Sequence, residues 1–468
     1  MMNSTNSSTI NKKMLSDSPE AKPEAITGLL MILGVVLRVV IAVYATAGQW
    51  DWIAERIEVT TPVSSYLRLK ECVYLYTHGI PPYEGCVCHQ APLVVALYQQ
   101  IPQTIARFVP ILADCLIAWL LVRIAEYKKE SQAGEVWPEP VEAQEGEGET
   151  LPPWDEYKHG VSVVERIAVD STKPFDAPIV ASDIGLIHLF NPYAILTCFS
   201  QSSQVFSSLA VMFGIYSATQ GRLTAAVFGV AFATYLSLYP VMMLVPIILI
   251  ISSTTDKPVG WLAFRATLVF VFIASILLVA SYVVVGDWSF IRSTYGVILF
   301  VDDLTPNIGL YWYFFIEIFE QFRSFFIAVF QISAIIFTVP LSLLFRAKPL
   351  FVTALLMALS SIFKSYPSVA DVAIYLPMLA LFPEVFRYAK HSFFALNCMI
   401  YATVLGPLFY NLWVLAGAGN ANFFYAITLL FSLAQIILVV DLLFGMLLRE
   451  WERTHPGWRL LRVELIQK

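Results

Sequence analysis

The chain has 468 residues, of which 58% are hydrophobic and 14% are charged. Soluble domains typically carry about 25% charged residues, so this chain has too little charge to cover a water-facing surface of its size. The composition excludes an ordinary cytosolic enzyme, a disordered protein and a disulfide scaffold, and it predicts an all-α polytopic membrane protein. The net charge of −6 argues against nucleic acid as a partner.

The N-terminal segment, residues 1–26, is polar and low in complexity. We predict a disordered cytosolic tail there. The apolar run from Ile26 to Ala47 predicts the first membrane span and is too long for the apolar part of a signal peptide. Arg38 lies in the middle of that run. Because a charge in hydrocarbon is costly, we expect Arg38 to face protein or water.

The next segment, residues 48–90, is polar and aromatic and contains no run long enough to cross a bilayer. Asp51, Glu55 and Glu58 would line one face of this segment if it were helical. Membrane glycosyltransferases that use dolichol-linked sugars place an acidic catalytic residue at this point, after the first span. The alternative interpretation is a solvated loop in which Arg56 is the counter-charge.

Two cysteine patterns were candidates for chemistry. Cys86, Cys88 and His89 form a CxCH pattern without a second ligand pair nearby, so a solvated loop with two free or paired thiols is favoured over a zinc site. His188 and Cys198 lie too far apart on one predicted helix for a nucleophile and its base to touch. The sequence has no GxSxG, HExxH or P-loop pattern. We therefore predict no catalytic residue, no metal and no cofactor.

The run from Leu93 to Ile101 is apolar but short and predicts a re-entrant or interfacial helix. A second span is predicted from Phe108 to Ala125. The acidic insert, residues 130–160, comes next, and its first part, residues 130–156, has nine acidic residues and no basic one. Such a segment cannot bury enough apolar surface to fold, so we predict a solvated cytosolic insert.

From Asp183 onward, apolar runs follow closely and are broken by Pro, Asn and Gly. Several are shorter than the roughly 20 residues that a straight span needs, which predicts half-helices inside a bundle. We expect about eleven to thirteen transmembrane or re-entrant helices within residues 27–448 and a basic cytosolic tail at 449–468. Basic residues flanking the first, second and last spans place both termini in the cytosol, so the 48–90 loop lies on the opposite side.

The first polar island, residues 301–315, begins with Asp302 and Asp303. Thr305 and Pro306 read as the N-cap and the first residue of a helix. The aromatic residues that follow would form an interfacial belt. The alternative to a binding site is a well-capped helix entering the membrane. The candidate ligand-binding residues in this island are Asp302, Asp303, Asn307 and Trp312.

The second polar island, residues 416–427, combines small residues, two amides and three aromatic rings. Asn420 and Asn422 can both donate and accept hydrogen bonds, and Phe423 offers apolar area. A membrane-embedded cleft for a glycolipid head group would need this mixture. The alternative is an ordinary interfacial loop. We place the predicted head group between the two islands, near Asn420 and Asn422.

Lys364 and Asp371 are charges close to membrane depth, between two apolar runs. An intramembrane ionisable residue is a functional candidate by default. An ion pair that locks two helices together is the alternative interpretation.

The islands and several other strings resemble subunit U of the GPI transamidase, the PIG-U family. The resemblance runs from about residue 30 to about residue 450. The polar tail, the acidic insert and the Cys86-Val87-Cys88 triplet depart from it. The matching strings are AERIEV with PVSS (54–65), PPYEG with APL (81–93), LFNPYAILTC (189–198), ATYLSLYP (233–240), DLTPNIGLYWYFFIEIFEQF (303–322), IFKSYPSVADVAIYLP (362–377) and GNANFFYAIT (419–428).

The resemblance implies a multi-pass protein of the endoplasmic reticulum membrane with a glycosyltransferase-C-like bundle. It implies a non-catalytic subunit that recognises the GPI glycolipid and presents it for attachment to proproteins. The partners that it implies are a PIG-K-type caspase-like subunit, which carries the protease chemistry, and PIG-T, PIG-S and GPAA-type subunits. The alternatives are an active mannosyltransferase that uses dolichol phosphate mannose and a lipid transporter or scramblase.

Overall fold

The computed structural model describes residues 21–45, 47–85, 87–133 and 180–454. Most of the predicted tail, most of the acidic insert, most of the basic tail and Cys86 lie outside the described residues. Within the described ranges all regular structure is helical and no strand is present. The all-α prediction is therefore confirmed.

The helices follow one another closely. In chain order the α-helices are α1 (Ala21–Tyr44), α2 (Ala47–Ala54), α3 (Tyr66–Thr77), α4 (Pro92–Gln100), α5 (Gln103–Ala106), α6 (Phe108–Ala133), α7 (Ala181–Leu189), α8 (Pro192–Phe199), α9 (Gln204–Thr219), α10 (Leu223–Ser237), α11 (Leu244–Thr255), α12 (Val259–Val285), α13 (Val297–Phe300), α14 (Tyr311–Glu317), α15 (Glu320–Ile335), α16 (Thr338–Leu344), α17 (Pro349–Phe363), α18 (Val369–Ala380), α19 (Pro383–Phe386), α20 (Ser392–Tyr410) and α21 (Ala421–Thr454). A 3₁₀ turn (Tyr239–Met243) precedes α11, and π-helical turns (Ile291–Gly296 and Asn411–Leu415) precede α13 and follow α20.

Six helical segments of the described chain are long and apolar enough to cross a membrane, and six more apolar helices have 10–17 residues. Their number agrees with the predicted range for transmembrane or re-entrant helices. The long segments expose large apolar side chains, most extensively along α12, as expected for surfaces that face lipid. The chain is a multi-pass membrane protein.

Two helices extend into segments predicted to be irregular. α1 begins at Ala21, so residues 21–26 are helical rather than part of the tail. Alanine and glutamate are good helix formers, and a proline is tolerated in a first helical turn. α6 includes residues 130–133, which were predicted as the first residues of the insert.

The segment that carries His188 and Cys198 is two helices, α7 and α8. Asn191 caps α8 by accepting a hydrogen bond from the Tyr193 N–H (3.0 Å), and Pro192 occupies the first helical position. These are the usual signals for a helix start. His188 and Cys198 consequently lie on separate helices, which corrects the single helix predicted for them.

The charged residues predicted near membrane depth are paired. Arg38 is fully buried, and its Nε donates to Asp114 Oδ2 (2.7 Å), while His188 Nε2 lies 2.8 Å from Asp114 Oδ1. Lys364 Nζ lies 2.7 Å from Asp371 Oδ1. The prediction that Arg38 faces protein is confirmed, and so is the ion-pair interpretation of Lys364 and Asp371. Because a buried charge is costly unless paired, these contacts hold helices together.

Helix packing forms two close pairs, α9 with α10 and α20 with α21. At the first pair a Cβ added to Gly229 would lie 2.7 Å from the Ala210 carbonyl oxygen, so the close approach requires glycine. α21 also contacts α17, and α8 contacts α18. The space between α8, α20 and α21 is incompletely filled and forms the cavity described below.

Candidate functional site

The two polar islands meet in space at the N-terminal end of α21. The Tyr313 hydroxyl donates to Asn422 Oδ1, and the Tyr425 hydroxyl donates to the Leu310 carbonyl (3.1 Å). Trp312 is buried, with its ring centroid 5.9 Å from that of Phe424. Residues more than a hundred positions apart therefore form one aromatic cluster, as the predicted cleft requires.

The residues predicted from the second island stay at the surface. Asn420 is exposed, and its Oδ1 accepts a hydrogen bond from the Phe423 N–H (3.4 Å) at the start of α21. Asn422 is exposed beside Tyr313. Phe423 is 54% exposed and stacks on Phe409, with ring centroids 5.9 Å apart. Two amides and an apolar ring thus form an accessible edge.

The residues predicted from the first island lie mainly in a self-contained turn. Asp303 Oδ1 accepts hydrogen bonds from the Thr305 N–H (2.9 Å) and hydroxyl (2.5 Å). Asn307 is buried, accepts from the Gly309 N–H (2.8 Å) and donates to the Thr305 carbonyl (3.1 Å). Asp302 is exposed. The structure therefore brings Trp312 to the second island, while Asp303 and Asn307 serve the turn.

This turn also corrects the predicted helix start. α14 begins at Tyr311, and neither Thr305 nor Pro306 is helical. The side chains of Asp303 and Asn307 capture backbone N–H groups two residues on, which stabilises turns in competition with a helix. The turn packs closely, because a Cβ at Gly309 would lie 2.6 Å from Pro367.

Asp303 also connects the turn to the segment after the first span. Arg68 Nη1 lies 2.7 Å from Asp303 Oδ2, and His89 Nε2 lies 3.8 Å from the same oxygen. Burial favours the neutral carboxyl, but the hydrogen bonds from Thr305 and the Arg68 guanidinium outweigh it and hold the pKa of Asp303 below its ordinary value. The carboxylate is therefore charged at neutral pH and joins two distant parts of the chain.

The segment 48–90 is folded, which corrects the solvated-loop interpretation of the CxCH cysteines. It contains α2 and α3, and Cys72 forms a disulfide with Cys88 across a Cα–Cα distance of 5.4 Å. Both cysteines are fully buried, in an apolar cluster that includes Tyr83. Cys88 is thus paired with a cysteine upstream of the CxCH pattern rather than exposed within it. Aromatic and aliphatic residues in this segment provide the apolar area for its packing.

The three acidic residues after the first span do not share a helical face. α2 ends at Ala54, so Glu55 and Glu58 lie outside it. Asp51 and Glu55 are exposed, whereas Glu58 is buried. Glu58 accepts from Arg56 Nε (3.2 Å) and Nη2 (3.0 Å). The interpretation of Arg56 as a counter-charge is confirmed, and only Glu58 faces the interior.

A cavity of about 350 Å³ opens beside the islands. Its walls come from α8, α20 and α21 and are mostly apolar, with Leu196, Ala402, Ile427 and Phe431 among the lining residues. Phe424 connects the cavity with the aromatic cluster. A concave, largely apolar space with a few polar groups is the usual form of a small-molecule site.

The polar side of the cavity comes from Arg56, Glu58 and Asn411. Asn411 begins the π-helical turn after α20, a distortion that often occurs at functional sites. The guanidinium carbon of Arg56 lies 5.6 Å from the ring centre of Trp52 and 6.0 Å from that of Tyr410. An arginine between two aromatic faces is held in place by cation–π attraction. The cavity is therefore amphipathic.

Sequence reasoning did not select Arg56 or Asn411 as site residues. The local sequence shows Arg56 only as a counter-charge, since Trp52 and Glu58 are its neighbours in the chain. Its contact with Tyr410 is not visible there, because Tyr410 is distant in sequence. Pro407, which lines the cavity near the end of α20, was a signal for the irregular turn, since proline disturbs a helix interior. The approach of Arg56 to Tyr410 is a tertiary feature that no local pattern contains.

The fold and the cavity define the class of protein: a polytopic helical membrane protein with a site suited to an amphipathic ligand. The family model for GPI transamidase subunit PIG-U matches residues 32–431. The chain belongs to the PIG-U family, which confirms the resemblance of the motifs.

Curated relatives agree with this membership. The chain is 33% identical to "GPI-anchor transamidase component PIGU" of Homo sapiens over 440 residues, which cover 91% of this chain and 95% of that protein. The identity to the Cricetulus griseus protein of the same name is also 33%, over 441 residues with the same coverage. "GPI transamidase component GAB1" of Saccharomyces cerevisiae is 29% identical over 410 residues, covering 87% of this chain and 91% of that protein.

Proposed function

We propose that this chain is a non-catalytic subunit of a GPI transamidase that recognises the GPI glycolipid and presents it for attachment to proproteins. The observation that carries the proposal is the amphipathic cavity beside the two islands. A glycolipid has hydrocarbon chains and a polar head, so it needs an apolar space that ends in polar groups near water. Family membership supports the assignment to this complex.

In this proposal the acyl chains lie against Leu196, Ile427 and Phe431, and the head group points toward Arg56 and Asn411. The sugars extend to the exposed edge formed by Asn420, Asn422 and Phe423, with Asp302 exposed on the first island. That edge is stabilised by three residues that do not form its surface: Trp312, Asp303 and Asn307. They stabilise it through the aromatic cluster and the turn.

The disulfide supports the proposed compartment. Disulfides form and persist in oxidising compartments and are rare in the cytosol. The Cys72–Cys88 bond therefore supports a lumenal position for the segment 48–90. With the basic flanks of the spans, this favours an endoplasmic reticulum protein with cytosolic termini.

The proposed partners are the PIG-K-type caspase-like subunit and the PIG-T, PIG-S and GPAA-type subunits. The contacts of His188 and Cys198 argue against a catalytic role for this pair. His188 is held by Asp114, and Cys198 is buried within an apolar cluster that includes Trp50. A cysteine nucleophile would need an accessible thiolate beside a base.

The proposal is tested by filling the cavity. Gly406 lines it, and an added Cβ would meet only Ile427 Cγ2 at 3.9 Å, so Gly406→Leu occupies the space with little strain. The matched control is Gly260→Leu, an exposed helical glycine with nothing within 4 Å of an added Cβ. Complex yield and surface display of a GPI-anchored reporter would be measured in cells lacking the endogenous subunit.

We expect Gly406→Leu to assemble with its partners at normal yield and to reduce reporter display severely. Gly260→Leu should resemble the wild type in both measurements. Normal display with normal yield for Gly406→Leu would contradict a glycolipid site in the cavity. Failure of the wild-type chain to co-purify with a caspase-like protease subunit would contradict its place in the complex.

A second candidate, a dolichol phosphate mannose-dependent mannosyltransferase, is favoured by one observation: a buried carboxylate, Glu58, lines the cavity after the first span. Both of its oxygens already accept from Arg56. A working general base contributes roughly 10²–10⁴-fold to rate. Mannose transfer by the wild type that is lost in Glu58→Gln, with normal assembly, would establish this activity.

A further inference from the structure

The Arg56 guanidinium is held in one orientation at the polar side of the cavity. Glu58 fixes one edge through Nε and Nη2, and the rings of Trp52 and Tyr410 lie within 6.0 Å of the guanidinium carbon. The side chain is 17% exposed. The arginine is thus partly desolvated, planar and immobilised. A side chain that binds a ligand is expected to be preorganised in this way.

The unused hydrogen-bonding capacity of the Arg56–Glu58 pair consists of donors. A guanidinium has five N–H groups, and the hydrogen bonds to Glu58 involve only Nε and Nη2; among the described residues none accepts from Arg56 Nη1. Both Glu58 oxygens, in contrast, already accept from Arg56. A ligand that reaches this point therefore meets free N–H groups, so it must bring acceptor oxygens.

Asn411 adds a second polar side chain on the same side of the cavity. It is exposed, lines the cavity, and its amide forms no hydrogen bond with the described residues. The remaining walls are mostly apolar, including Leu196 and Phe431. The arrangement fits a ligand in which an anionic group is attached directly to hydrocarbon chains.

We propose that Arg56 anchors the phosphodiester of an anionic lipid whose chains occupy the cavity. Planar guanidinium groups bind phosphate oxygens through paired, charge-assisted hydrogen bonds. Glu58, Trp52 and Tyr410 are positioning residues for this contact. The inference rests on the proposed function and specifies that the phosphate, rather than the sugar chain, determines whether a lipid is selected.

The test uses the purified complex containing the full-length chain and two photoreactive probes with identical acyl chains, phosphatidylinositol and diacylglycerol. The wild type should be labelled about tenfold or more in favour of phosphatidylinositol, the effect of one charge-assisted contact. Equal labelling by the two probes would overturn the proposal. This comparison needs no variant, so it stays decisive even where a variant folds poorly.

Variants then test whether Arg56 causes the preference for phosphatidylinositol. Arg56→Gln should remove it, and Arg56→Lys should reduce it, because an ammonium cannot reproduce the planar pair of donors. The double variant Arg56→Gln/Glu58→Gln leaves no unpaired charge and should also lose the preference. The matched control is Arg265→Gln, an exposed arginine 5.3 Å from the ring of Trp261. A preference retained in Arg56→Gln or in the double variant would overturn the proposal.

Two further measurements complete the test. The first distinguishes a lipid phosphate from free phosphate, and the second distinguishes the phosphate contact from lipid binding by the cavity. Protection by unlabelled phosphatidylinositol, without protection by millimolar inorganic phosphate, assigns the anion to a lipid; protection by inorganic phosphate overturns that source. If Gly406→Leu blocks labelling by both probes while the wild type shows no preference, the cavity binds lipid and the phosphate anchor is wrong. If Gly406→Leu blocks neither probe, the proposed function itself is contradicted.

Discussion

Two arginine–carboxylate pairs lie in the segment after the first span, and they differ in what they connect. Arg68 and Asp303 are 235 positions apart in sequence, and the pair joins α3 to the turn before α14. Arg56 and Glu58 are two positions apart, so their pair holds no distant segments together. A long-range pair stabilises the fold, whereas a local pair beside a cavity mainly orients its guanidinium. The comparison separates the structural part of this region, around Arg68, from the part proposed to bind the ligand, around Arg56.

The largest effect is expected from the Cys72–Cys88 disulfide, because Cys72 lies in the same helix, α3, as Arg68. Replacing Cys72 and Cys88 together by Ser should lower the free energy of unfolding by about 3 kcal/mol, the value for a closed loop of roughly 15 residues. Thermal unfolding of the purified complex would measure this. The control is Cys398→Ser, a half-buried free cysteine. Equal thermal stability of the double variant and the wild type would show that the disulfide does not stabilise the part of the chain around Arg68.

The second effect separates the two pairs directly. Asp303→Asn removes the charged partner of Arg68 and should cost about 1.5–3 kcal/mol of stability. Glu58→Gln should cost less stability, because the local pair connects nothing distant, but it should weaken the phosphatidylinositol preference. Thermal unfolding and photolabelling of both variants would be compared. Equal destabilisation by the two changes would remove the distinction between the pairs.

The third effect is a dependence on pH. Because the pKa of Asp303 is lowered in the folded state, its contribution is fully present above the unfolded-state pKa of about 3.9. The contribution is lost as the pH falls through the lower folded-state value. The difference in melting temperature between wild type and Asp303→Asn should therefore persist down to about pH 5 and shrink below about pH 4. A difference that stays constant into strong acid would contradict the charged assignment.

The smallest effect is expected at the exposed edge. Asn422→Ala removes an amide whose hydrogen bonds are worth about 0.5–1.5 kcal/mol, so reporter display should fall modestly at normal complex yield. Asn422→Lys should reduce display further, because it adds bulk and charge beside Tyr313. Normal display for both Asn420→Ala and Asn422→Lys, at normal yield, would exclude these amides from the site.

The helical class and most helix positions could be predicted because apolar runs and their breakers are local signals. The first span illustrates this, because the predicted apolar run from Ile26 to Ala47 overlaps α1. The start of α8 at Asn191-Pro192 was missed, although its signal is also local. Boundaries at Ala21 and Ala133 were missed, since helix formers outside the apolar run extend a helix without changing its hydrophobic pattern. The pairing of Lys364 with Asp371 was within reach, because the two residues are near in sequence.

The site was only partly predictable. The two islands were found by composition. Composition did not show that Asp303 and Asn307 form hydrogen bonds within their own turn, whereas Asn420 and Asn422 are exposed. Turn-forming carboxylates and amides look identical in sequence to ligand-binding ones. The role of Arg56 depends on Tyr410, which reaches it only through the packing of α20, and such long-range contacts leave no local trace.

The central claim is that the glycolipid occupies the cavity between α8, α20 and α21. The most direct measurement is photolabelling of the purified wild-type complex with a photoreactive GPI analogue, followed by mapping of the adducts by mass spectrometry. The account predicts adducts on the lining residues, such as Ala402, Ile427 or Phe431. Adducts confined to the exposed face of α12, at residues such as Phe264 and Phe272, would contradict it.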